Sequence, residues 1–130
     1  MKIIIQPVKV WDPQGKYSQA ILSKAGQVLF ISGQTSVDEE RNIVGKMNIE
    51  IQTRQVLENI KVIAEEAGGS LENIVRLTTY VTDARSLPDY YKTRKEYFKK
   101  DPPTSTTVVV TALGREDLLV EVEAMAVLQA

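Results

Sequence analysis

The stretch "LLVEVEAMAV", residues 118–127, decides how this chain folds. Its side chains alternate as a strand requires. Leu118, Val120, Val122, Ala124 and Ala126 form one wholly apolar side. Glu121, Glu123, Met125 and Val127 form the other. A strand with helices on one side and water on the other carries polar residues along its second side. Here the second side begins with two acids and continues apolar, which is the pattern of a face that is also covered.

Working outward, "TSTTVVVTAL" (104–113) reads as the preceding strand and "GRED" (114–117) as the turn between them. "NIVRLTTYVTD" (73–83) alternates and is rich in β-branched residues, a further strand. "GQVLFISGQ" (26–34) and "KYSQAIL" (16–22) read as two strands joined by a turn at Lys24-Ala25-Gly26, and residues 2–5 as a short β-branched run. Between Asn48 and Ala67 the period changes. Thr53, Val56, Leu57, Ile60, Ile63, Ala64 and Ala67 recur at three- and four-residue steps, one helical stripe ended by Gly68-Gly69. A second helix is expected from Ser86, with Asp89 three residues on as a capping box and Pro88 in the first turn. Leu87, Tyr90, Tyr91, Tyr97 and Phe98 supply its apolar side, and "DPP" (101–103) breaks it.

The order β-β-β-α-β-α-β-β predicts an α+β domain, a mixed β-sheet with two helices packed on one face, spanning residues 1–130 as a single domain. Two helices cover only one face of such a sheet. Val28 and Phe30 nevertheless oppose Leu29 and Ile31, and Val108 and Val110 oppose Val109. A second copy of the chain is the economical cover, so a homo-oligomer is expected.

Composition narrows the chemistry. The 130 residues are 43% hydrophobic and 25% charged with a net charge of −1, ordinary for a globular protein and without the basic excess that draws a chain to nucleic acid or anionic lipid. There is no Cys and no His, which removes thiol nucleophiles, Ser-His triads and Cys/His zinc sites. Catalysis would fall to carboxylates, hydroxyls, Lys, Arg or the backbone. No apolar run approaches a membrane span or a signal-peptide core, and a cytoplasmic location is expected.

"GKYSQA" (15–20), "LFISGQTSVD" (29–38), "QVLENIKVIAEEAGGSLENIVRLTTYVTD" (55–83) and "VEVEAMAV" (120–127) together resemble the RidA/YjgF family, also called Rid or L-PSP. The resemblance runs in order over nearly the whole chain. It implies a chorismate-mutase-like fold, a homotrimer, small-molecule sites between subunits and no cofactor or metal. The archetypal reaction it implies is hydrolysis of 2-imino or enamine acids to 2-keto acids and ammonia. An Arg there clamps the substrate carboxylate and a Glu handles the water and the imine proton.

Carried over residue by residue, the resemblance makes Glu121 the catalytic acid/base. Tyr17, Ser32, Gly33, Tyr91 and Ser105 fall at the family's substrate-binding positions, and Thr106 joins them because the run Ser105-Thr106-Thr107 reads as a polar pocket wall. Two positions depart from the pattern. Ser105 falls where the family carries its clamping Arg, and Tyr91 falls where it carries an Asn. A substrate carboxylate facing no cation would be desolvated without a partner, so weak turnover of small 2-imino acids is expected unless Lys16, Arg76 or Arg115 substitutes. Arg76 is also placed to pair with Glu121 or Glu123. A trimer that binds a metabolite without turning it over is the rival reading. The family's endoribonuclease label is disfavoured by the missing His and the lack of a basic or aromatic strip.

Overall fold

The computed structural model describes residues 2–129. The chain forms β1 (Lys2–Ile5), β2 (Ala20–Ser23), β3 (Gln27–Thr35), α1 (Ile49–Glu66), β4 (Ile74–Val81), α2 (Leu87–Lys95), β5 (Thr104–Val109) and β6 (Val120–Leu128). Short 3-10 turns at Leu71–Asn73 and Ala84–Ser86 precede β4 and α2. The order of strands and helices is the one the periodicities predict.

The main sheet is mixed, with strand order β3-β6-β4-β5. β6 lies at its centre, antiparallel to both neighbours, and β4 and β5 run parallel. The apolar side of β6 is buried residue by residue, with Val120, Val122 and Ala126 at 0% exposure. Against them pack Leu77 and Val81 of β4, Val56, Leu57 and Ile60 of α1, and Tyr90 of α2, so both helices sit on this one face. Burying each such aliphatic side chain stabilises the fold by about 1.5–3 kcal/mol.

Local chemistry sets the ends of α1. The Asn48 side chain accepts the Ile51 N–H at 2.9 Å, capping the first turn. Gly68, at φ +93, turns the chain out of the last turn, and the Gly69 N–H donates to the Ala64 carbonyl at 2.8 Å. Among the described residues, no helix is long and apolar enough to cross a membrane.

Four expectations are corrected. β2 does not pair with β3 as a hairpin. It pairs antiparallel with β1 in a separate two-stranded sheet, Ile3 opposite Leu22 and Ile4 opposite Ile21. A turn signal marks a change of direction and leaves the partner open. The capping box at Ser86 does not form: Ser86 is itself helical and makes no side-chain cap. The preceding turn is capped instead by Asp83, whose carboxylate accepts the Arg85 N–H. α2 then ends at Lys95, before Tyr97 and Phe98. Finally, β5 stops at Val109 and does not reach Leu113. Its parallel partner ends at Val81, and after one more bond from the Val110 N–H to the Val81 carbonyl there is no strand left to pair with.

Opposite the helices, the sheet lies bare. Phe30 and Met125 are cross-strand neighbours there, with Phe30 73% exposed and Val28 49%.

Candidate functional site

Two groups of residues stand out, one on each side of the sheet. The first begins in the loop before β2. The Ser18 N–H donates to the Pro103 carbonyl at 3.1 Å and its hydroxyl donates to the Pro102 carbonyl. These bonds pin the loop to the start of β5 and set Lys16 and Tyr17 beside α2. Tyr17 rests edge-on against Trp11, with ring centroids 5.8 Å apart.

From α2, Arg94 reaches into the same place. It is 3% exposed. Its Nη1 donates to Ser105 Oγ at 2.8 Å and its Nη2 to the Lys16 carbonyl at 3.1 Å. The guanidinium carbon stands 5.5 Å from the ring centre of Tyr90 and 5.0 Å from that of Tyr91. Aromatic faces and neutral acceptors thus surround it, and among the described residues no carboxylate lies within 4.0 Å. A cavity of about 490 Å³ opens here, lined by Lys16, Tyr17, Pro88, Tyr91, Lys92, Arg94, Lys95 and Phe98. Four of these are cations and none is an acid. A buried guanidinium without a counter-ion is costly, and an anion entering the cavity would relieve that cost.

On the bare face, Glu121 lies over Gly33. A Cβ on Gly33 would come within 2.0 Å of Glu121 Oε2, so the missing side chain makes room for the carboxylate. The register of β3 shifts between Ile31 and Gln34, a bulge at this very point. Glu121 lines a hollow of about 390 Å³ with Gly33, Tyr80, Leu113 and Glu123 among its walls. Glu123 accepts a 2.7 Å bond from the Tyr80 hydroxyl. That bond, helped by partial burial, raises the Tyr80 pKa and holds the phenol protonated. Ser32 lines a neighbouring hollow with Phe30, Arg76 and Met125.

The structure therefore sorts the expected site residues into two sets. Tyr17 and Tyr91 line the cationic cavity, and Ser105 supports it through Arg94. Glu121, Gly33, Ser32 and Thr106 lie with the open face. Strand register keeps the sets apart within one copy. Ser105 pairs with the core residue Leu77, whereas Glu121 pairs with Tyr80, three residues on and on the opposite face. Tyr91, partly exposed at 36%, is a cavity wall; its neighbour Tyr90, at 0%, is the core tyrosine.

Arg76 makes no ion pair with either glutamate. Its Nη2 donates to Thr106 Oγ1 at 2.9 Å, while Tyr80 satisfies Glu123. Arg115 binds the Arg41 carbonyl at 2.9 Å and is tied up between loops. Of the three cations expected to substitute for the clamp, only Lys16 lines the cavity. The residue that sequence reasoning missed is Arg94. A signal for it existed: Leu87, Tyr91, Arg94 and Phe98 recur at steps of four, three and four, so the Arg stands within the apolar stripe of its helix.

A mixed sheet backed by two helices, with a cationic cavity on one side and an acid over a glycine bulge on the other, defines a small α+β protein whose two candidate groups of residues face different ways. The chain belongs to the RidA/YjgF family: the family model described as Endoribonuclease L-PSP matches residues 9–128. A RutC family protein of Pyrococcus horikoshii is 42% identical over 126 residues, covering 97% of this chain and 98% of that one. Among solved structures, the Rid family protein YyfB of Yersinia pestis superposes with a TM-score of 0.91 at 30% identity, over 98% of both chains. RidA of an Antarctic Psychrobacter superposes with a TM-score of 0.74 at 32% identity, over 97% of this chain and 99% of that one.

Proposed function

We propose that the protein is a hydrolytic deaminase of small imine or enamine acids, working as a homotrimer whose pockets each join two copies. One copy supplies the cavity around Arg94 and Tyr17, and its neighbour supplies Glu121. The observation that carries this reading is the 2.8 Å bond from Arg94 to Ser105. The position where the family places its clamping Arg holds a Ser here, and a guanidinium from α2 arrives beside it. The cation is relocated rather than lost.

In the reaction proposed, Arg94 holds the substrate carboxylate. Glu121 takes a proton from water as the oxygen adds to the C=N carbon. It returns that proton to the nitrogen, giving a carbinolamine, and then carries the proton of the new hydroxyl to the same nitrogen as the C–N bond breaks, so that ammonia leaves a 2-keto acid. One water is consumed, and no oxidant or cofactor is required. The bare face with Phe30 and Met125 supports association, because an apolar surface of this kind is costly in water. RNA cleavage is less well supported, since the cations gather at one cavity rather than along a strip.

The test combines sedimentation equilibrium with ammonia release from 2-iminobutanoate generated in situ. The expected result is a mass three times that of the 14.5 kDa chain, and turnover abolished by Glu121→Gln in an intact trimer. A trimer that binds 2-keto acids without turnover would instead make it a metabolite-binding protein.

A further inference from the structure

The cavity carries more positive charge than one carboxylate needs. Arg94 alone satisfies a monoanion through its planar fork. Lys16, Lys92 and Lys95 also line the walls, and among the described residues none of them has a carboxylate within 4.0 Å, although Lys92 is near enough to Glu96 to help lower its pKa. General basicity does not explain the cluster, because the whole chain has 16 basic and 17 acidic residues. Lys92 and Lys95 are three residues apart on α2 and so share a helical face, and Tyr91 lines the same cavity. Tyr17, Tyr91 and Phe98 offer apolar surface for a carbon chain lying between the buried cation and the lysines.

We infer that the ligand of this cavity is a dicarboxylate, with one carboxylate on Arg94 and the second at the lysine rim. This rests on the reading that the Arg94 cavity is the substrate pocket, and it narrows that reading to acidic imino acids. The second carboxylate relieves repulsion among like charges, which a monoanion leaves in place. The lysines are solvated when the cavity is empty, so the preference they confer is moderate and falls with salt.

The experiment is calorimetric titration of the intact protein with 2-oxoglutarate and with 2-oxobutanoate, which differ by one terminal carboxylate. The expected result is about tenfold tighter binding of 2-oxoglutarate at low ionic strength, the scale of two modest charge pairs. In a Lys92→Gln/Lys95→Gln variant, 2-oxoglutarate falls to the affinity of 2-oxobutanoate. Arg94→Gln weakens both ligands. Equal binding of the two by the wild-type protein, or a preference that survives the double lysine substitution, overturns the dicarboxylate inference and leaves the pocket reading standing. Failure of both ligands to bind overturns the two together. The lysines are exposed, so their variant folds even if substitution of the buried Arg94 does not.

Discussion

Arg94 and Ser105 join α2 to β5 through a 2.8 Å hydrogen bond in which a buried guanidinium meets a neutral hydroxyl. A neutral acceptor cannot repay the desolvation of a cation as a carboxylate does. The fold nevertheless keeps a buried guanidinium whose bonds are to neutral groups, and it does so beside a cavity.

Stability and binding should therefore part at this residue. Arg94→Met keeps an unbranched apolar stem and removes the uncompensated charge. Urea unfolding should find the variant within about 1 kcal/mol of the wild type or more stable. Thermal protection by added 2-keto acids should disappear. A loss of more than about 3 kcal/mol would show that the bonds to Ser105 and the Lys16 carbonyl outweigh the charge penalty.

Gly33→Ala tests the room left for Glu121. The added Cβ would fall 2.0 Å from Oε2, at the far end of a flexible side chain, so the carboxylate swings aside at little cost to the fold. Ammonia release should drop by about tenfold or more, with the melting temperature nearly unchanged, because a displaced acid/base loses its alignment. Undiminished turnover would remove Glu121 from the chemistry.

The bare sheet face should answer to charge. Phe30, 73% exposed, lies cross-strand from Met125. Phe30→Asp leaves the helix-side core untouched and should dissociate the assembly on sedimentation, with the circular dichroism of the subunit retained. An unchanged mass would place any interface elsewhere.

A pH effect is expected where α1 meets the end of α2. Arg54 pairs with Glu96 at 2.9 Å and with Glu50 at 3.1 Å. The hydrogen bond from Arg54 holds the Glu96 pKa below its ordinary 4.5. A depressed carboxylate contributes stability that is fully present above the unfolded value and is lost as pH falls through the folded one. Arg54→Ala should thus lower the melting temperature slightly at pH 7. The gap from wild type should close in acid, below about pH 4. Both partners are exposed, so salt should also narrow the gap.

Much of this molecule is legible in its one-dimensional pattern. The alternation of Val120 to Leu128 specifies a strand with a core side and an acid side, and the structure keeps both. The three- and four-residue stripe in α1 places Val56, Leu57 and Ile60 in the core. These signals survive because burial repeats with the backbone period, and the period depends only on local geometry. Gln52 shows the limit. It is 0% exposed, yet its polarity hides it from a hydrophobic count. Its amide donates to the nearby Gly45 carbonyl and, far along the chain, meets the Asp117 carbonyl and the Leu119 N–H.

The sequence by itself determined the kinds and order of the elements, the family, the acid at Glu121 and the departure at Ser105. Tertiary structure alone decided that β2 pairs with β1, that Glu121 and the Ser105 cavity face opposite sides of the sheet, and that Arg94 comes to Ser105. The reason is the same in each case. Strand pairing and side-chain meeting depend on loop closure and on contacts between segments far apart in the chain, and no local period encodes which segments meet.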